Sequence, residues 1–200
     1  GHTPLPDDLL RMRGLLPEDE FRYQTIYARN EGAVVAPTAG FHFSRELMKR
    51  MEIKGIDSAY VTLHSGLGNF RAIEVEDLTK HKMDSEQMEI NEQNANLINK
   101  TKEKENKVCI VGTTTMKAVE TAAITGNRVK VYSGWSNKFI FPHYNFDIAD
   151  AMITNFHPPL SSMLMMVSAF GGYDLIMEAY KHAVEKEYKF LTYGDAMLII

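Results

Sequence analysis

The sequence has 200 residues, enough for one domain with a sizeable core; 44% are apolar and 24% charged, the balance of an ordinary globular chain. A formal net charge of −4 excludes a whole-chain electrostatic footprint for nucleic acid and leaves room only for a local basic patch. Cys109 is the single cysteine, so no internal disulfide can form; with no signal-peptide pattern and no apolar run long enough to span a bilayer, a reducing, cytoplasmic setting without a membrane is expected.

Residues 1–20 read as a lead-in segment. Pro4, Pro6 and Pro17, with Asp7, Asp8, Glu18, Asp19 and Glu20, favour a solvated, extended or short-helix path. The stretch from Val34 to Phe43 carries the first chemistry. Val34 and Val35 predict a buried strand that Pro37 stops; Thr38, Ala39 and Gly40 form a small-residue loop; Ser44 is an N-cap, and Leu47, Met48 and Met51 mark a helix face. His42 is the titratable group on that loop, and in α/β folds such loops lie where ligands bind.

Gly55 predicts the helix stop, and Ala59 to His64 a second strand. It runs into Ser65-Gly66-Leu67-Gly68-Asn69-Phe70-Arg71. Gly66 and Gly68 let backbone N–H groups approach a ligand, and Arg71 can pair with a carboxylate or phosphate. The third glycine of a dinucleotide fingerprint is missing. Farther on, Met83, Ser85, Gln87 and Glu89 share one strand face, with Asp84, Glu86, Met88 and Ile90 on the other. Asn91 caps a polar helix to about Glu105, whose charges form a solvated face.

Val108 to Val111 predicts a fully buried strand ending at Gly112. Thr113, Thr114 and Thr115 then open a helix with Met116, Val119 and Ala123 on one face. Hydroxyls at a helix N-terminus suit an anion or a ribose, or one threonine simply caps the helix. Val129, Val131 and Tyr132 suggest a short strand, and Trp135 to Tyr144 is aromatic-rich. Ala149 to Phe156 reads as another strand, leading into Asn155, His157 and two prolines. Ser161 or Ser162 starts a helix with Met163, Val167 and Phe170 inward; Gly171-Gly172 interrupts it. Asp174 caps a second helix with Ile176, Tyr180 and Val184 inward and Glu178, Lys181 and Glu185 outward; Ala196 to Ile200 closes the chain as a strand. Twelve methionines imply a Met-rich core.

Strands alternating with helices argue an α/β fold with a largely parallel or mixed sheet and flanking helices. The strand-end loops place His42, His64, Arg71, Thr113, Thr114, Asn155 and His157 in one candidate crevice. The absence of CxxC, HExxH or other close ligand spacings argues against a structural zinc; the Walker loop and the GxSxG elbow are also absent.

Six strings fall in the order of a known family: Tyr23-Gln24-Thr25-Ile26-Tyr27-Ala28, Pro37 to Phe43, Thr62 to Arg71, Val111-Gly112-Thr113-Thr114, Ile153 to His157, and Tyr193-Gly194-Asp195-Ala196-Met197-Leu198-Ile199. In these the chain resembles the S-adenosylmethionine:tRNA ribosyltransferase-isomerases of queuosine biosynthesis. The resemblance implies transfer and isomerisation of the ribosyl moiety of S-adenosylmethionine onto 7-aminomethyl-7-deazaguanine in tRNA. The product is epoxyqueuosine, and adenine and methionine are released. S-adenosylmethionine is then a consumed co-substrate rather than a cofactor, and tRNA is the macromolecular partner. It implies further that residues 1–200 are the carboxyl-terminal part of a distorted, barrel-like α/β major domain, without the family's small β-barrel. His42, His64 and His157 are the candidate bases; Thr38, Gly40, Gly66, Gly68, Phe70, Arg71, Thr113, Thr114 and Asn155 are the candidate substrate contacts. Lys117 stands where the family tends to have arginine, Asp84 where it tends to have histidine, and Leu160 where a basic residue is usual. A divergent transferase on a small nucleoside, or a binding fragment without turnover, are the alternative readings.

Overall fold

In the computed structural model residues 5–200 are described, apart from the side chains of Asp8 and Phe70; Pro4 of the lead-in segment lies outside the described residues. Two short helices come first, α1 (Asp7–Arg13) and α2 (Asp19–Arg22). They are tied to the far end of the chain. Asp19 accepts both guanidinium nitrogens of Arg13 (2.7 and 2.9 Å), the N–H of Leu16 and the hydroxyl of Tyr193 (3.0 Å). The Tyr193 ring packs with Tyr23 and Phe41.

The bonds from Arg13, then those from Leu16 and Tyr193, hold the Asp19 carboxyl well below the usual carboxylate range. A depressed folded-state pKa gives stability that is complete above the ordinary aspartate value of about 3.9. That stability drains away as pH falls below it. Urea titrations at pH 7 and pH 3 should therefore show a smaller acid loss in Asp19→Asn than in the wild type; equal losses in both proteins would contradict the latch.

Ser44 caps α3 (Arg45–Ile53) by accepting the N–H of Leu47, and Gly55, at φ +75°, ends it. β1 (Thr62–Leu63) pairs antiparallel with β2 (Glu86–Ile90), which pairs antiparallel with β6 (Tyr132–Ser136). Glu86, Met88 and Ile90 point inward from β2 and its alternate residues outward, the two faces that the sequence pattern separates. Asn91 caps α4 (Glu92–Glu103) through the N–H of Asn94. β3 (Cys109–Val111) and α5 (Thr113–Ala122) follow, then the hairpin of β4 (Ala123–Ile124) and β5 (Arg128–Val129), β6 (Tyr132–Ser136) and β7 (Ala151–Asn155). Ser161 caps α6 (Ser162–Gly171); α7 (Tyr173–Glu185) and β8 (Ala196–Ile199) complete the chain. Among the described residues, no helix is long and apolar enough to cross a membrane.

The architecture is mixed α/β, with small sheets of order β1-β2-β6 and β3-β7-β8. The only parallel pairing among the described strands is β3 with β7, so the mixed form of the expectation holds and the largely parallel form does not. α5 lies between the two sheets, with Met116, Ala118, Val119 and Ala122 buried in the core that Met88, Ile90, Ile110, Met152 and Val167 complete.

Several local expectations are corrected. Val34 and Val35 form a half-buried bend rather than a strand; Val34 N–H finds the Ser65 carbonyl, and Pro37 denies any extension. Only Thr62 and Leu63 of the stretch 59–64 are strand. β3 is buried only at Ile110, because it is an edge strand and Cys109 faces solvent. Asp174 does not cap α7, which starts from Gly172 at φ +83°. Val184 is 67% exposed and Ala183 takes its place in the core.

Candidate functional site

The parallel pairing of β3 and β7 brings their carboxyl ends to the same edge, with Gly112 N–H bonded to the Ile153 carbonyl. The short 3-10 turn Thr38–His42 lies against this edge. Ala39 Cβ sits 3.6 Å from the position a Gly112 Cβ would occupy. Gly40 has to be glycine here, since a Cβ would collide with the Tyr27 hydroxyl and the Thr25 methyl. The Tyr-Gln-Thr-Ile-Tyr string thus supports the turn that presents His42.

His42 Nε2 lies 3.2 Å from Asn155 Oδ1 at the end of β7. The Asn155 amide group donates to the carbonyls of Leu191 (3.2 Å) and Gly194 (3.3 Å). The 189–195 loop that supplies these carbonyls is tight. Leu191 and Tyr193 have φ of +63° and +59°, and a Cβ on Gly194 would lie 2.6 Å from the Lys189 oxygen. Asp195 accepts the Lys189 N–H at 2.7 Å, and Tyr193 is held by Asp19. Each residue of the Tyr-Gly-Asp string therefore has a mechanical part in holding Asn155.

Next to this edge is the N-terminus of α5, where no side chain caps the first turn. Among the described residues no threonine side chain takes the capping part there. Thr113 and Thr114 line a narrow cleft of about 20 Å³, room for little more than one water, walled by Met83, Phe139 and Met163. One turn into α5, Lys117 Nζ meets Glu86 Oε2 at 2.7 Å, with side chains only 5% and 4% exposed. Glu86 Oε1 accepts the Gly66 N–H (2.9 Å) and the Asn69 amide (2.6 Å). One buried carboxylate therefore joins β2, α5 and the glycine loop.

The other predicted residues are placed as follows. Thr38 is half-buried in the turn with His42. His64 is half-buried with its ring on Gly32, and its backbone N–H donates to the Gln87 carbonyl. His157 is buried below the edge; its Nε2 meets Thr154 Oγ1 at 2.8 Å, and burial pushes its imidazole down to about 4. Arg71 is exposed and pairs with Asp84 at 3.4 Å, while Asp84 packs on Gly68. The Phe70 side chain lies outside the described residues. Sequence reasoning missed Glu86, Lys117 and Asn69 as a site cluster. The signal was present: an acidic residue on the apolar face of an alternating strand must find a partner.

Residues 1–199 match the model of a family described as queuosine biosynthesis protein. The chain belongs to this family. It is similar over its whole length to proteins named S-adenosylmethionine:tRNA ribosyltransferase-isomerase, at 60% identity in Phocaeicola vulgatus and 56% in Flavobacterium psychrophilum. It covers 56% and 57% of those proteins, so it spans about half the length of the curated relatives it matches. Among solved structures it is similar to an S-adenosylmethionine tRNA ribosyltransferase from Thermotoga maritima, with TM-score 0.68 and 37% identity. That match covers 82% of this chain and 52% of the other.

Proposed function

We propose that the chain is the carboxyl-terminal part of an S-adenosylmethionine:tRNA ribosyltransferase-isomerase of the cytoplasm, and that its crevice holds the ribosyl donor. The observation that carries this reading is the meeting of the His42–Asn155 pair with the open α5 N-terminus at the ends of β3 and β7. Ribosyl transfer from a sulfonium donor needs three services. The sulfonium makes the adjoining ribose carbon acidic, so a base must take its proton. His42 is the exposed histidine of the three candidates and takes that part. The ribose hydroxyls or the methionine carboxylate need donors, which the α5 amides with Thr113 and Thr114 offer. The adenine ring needs a flat or soft apolar wall, which Phe139 and Met163 offer once the narrow cleft between them parts to admit it. Arg71 is free to exchange Asp84 for a substrate carboxylate or a tRNA phosphate.

Isothermal titration of S-adenosylmethionine tests this reading. Saturable binding is expected, weakened about tenfold by Thr113→Ala through loss of one hydrogen bond near the donor. Absence of saturable binding to a full-length family protein carrying this sequence would refute it.

A further inference from the structure

The hydrogen bonds around Asn155 decide which nitrogen of His42 can act. A carboxamide has one acceptor oxygen and one donor NH₂, and carbonyl oxygens only accept. Leu191 and Gly194 both present carbonyl oxygens to one end of the Asn155 amide, so that end is the NH₂. The reverse orientation would set three oxygens against one another. Asn155 Oδ1 therefore faces His42, and the atom 3.2 Å away, Nε2, has to donate. A neutral imidazole carries one N–H. With the proton on Nε2, the lone pair is on Nδ1, and among the described residues no group hydrogen-bonds Nδ1.

We infer that Asn155 is a positioning residue that locks neutral His42 in its Nε2–H tautomer, making Nδ1 the basic atom of the site. The lock is built from backbone. Tyr193 anchored on Asp19, Gly194 packed on Lys189 and Asp195 bonded to the Lys189 N–H fix the two carbonyls that fix the amide. Resting on the function proposed above, the step reads as follows. The ribose C–H bond beside the sulfonium breaks, its electron pair stays on that carbon, and the proton goes to Nδ1. The resulting imidazolium keeps its Nε2–H on Asn155 Oδ1. A hydrogen bond that persists through the transfer fixes the ring plane before and after it.

The test reads tautomers and not activity. Long-range proton–nitrogen correlation NMR of the ¹⁵N-labelled chain is recorded where His42 is neutral, with its signals assigned by comparison with His42→Gln. The expected spectrum shows Nε2 protonated and Nδ1 bare. Asn155→Leu removes the acceptor and should lower the ratio of Nε2–H to Nδ1–H forms on the order of tenfold, the weight of one hydrogen bond. Asn155→Ala removes the same acceptor with a smaller side chain and should shift the ratio in the same direction. A wild-type His42 with its proton on Nδ1 overturns the inference, as does a ratio unchanged in Asn155→Leu. If Asn155→Leu fails to fold, the wild-type spectrum and Asn155→Ala decide it; an unchanged ratio in a folded Asn155→Ala protein overturns it. These spectra are independent of turnover, so a failed tautomer assignment and a failed assignment of the reaction are distinguishable.

Discussion

Replacing His42 by alanine in a full-length protein of the family carrying this sequence should lower the rate of adenine release by about 10²–10⁴-fold, the usual weight of a positioned general base. His42 projects from a turn that ends β-edge packing rather than from the core, and its side chain is exposed. The fold should therefore survive the change, and a urea midpoint close to wild type would show that chemistry alone was lost. His157→Ala should behave in the opposite way. That ring is buried against Thr154 and Tyr180 supports its backbone, so the loss falls on stability. Full turnover by the His42→Ala protein would remove His42 from the mechanism.

Lys117→Met should destabilise the fold by about 3–5 kcal/mol, the usual effect of removing one partner from a buried ion pair. The Glu86 carboxylate would remain buried with only the Gly66 N–H and the Asn69 amide to compensate its charge. Glu86→Gln on its own should also destabilise, because it leaves the Lys117 ammonium 2.7 Å from a neutral group. The double change Glu86→Gln with Lys117→Met removes both charges and should recover a large part of the loss. A double-mutant cycle by urea denaturation should then give a coupling above about 1 kcal/mol. Additive losses would mean that the two charges do not depend on each other. The pair also bears on the site, since it aligns the glycine loop with the N-terminus of α5. Titrations of S-adenosylmethionine into the folded double variant would separate that alignment from stability.

Local rules read much of this fold correctly in the sequence. Ser44, Asn91 and Ser161 each cap the helix that follows, because a side-chain oxygen before an apolar period has a specific N–H to satisfy. The alternation placed Glu86, Met88 and Ile90 on one face, which is the buried one. Pairing was harder to read. Val34 and Val35 have strand propensity but no neighbouring strand to complete a ladder, and propensity yields to that tertiary fact. Val108 to Val111 read as a fully buried strand, whereas the sheet puts Cys109–Val111 at an edge, a property set by residues more than forty positions away. At the candidate site, Thr113 and Asn155 were picked out because small or polar residues follow the strands Cys109–Val111 and Ala151–Asn155, whereas His42 was picked out from a strand that does not form. Glu86 was passed over although its position on an apolar face demanded a partner, and the partner, Lys117, could be named only from the packing of α5 on β2.

The central claim is that this crevice serves ribosyl transfer from S-adenosylmethionine to tRNA. The measurement that tests it most directly is adenine release from S-adenosylmethionine by the full-length protein, with and without tRNA carrying 7-aminomethyl-7-deazaguanine. The account predicts release that requires the modified tRNA, at one adenine per modified base, and that collapses in His42→Ala. Binding of S-adenosylmethionine with no adenine released on the modified tRNA would contradict it.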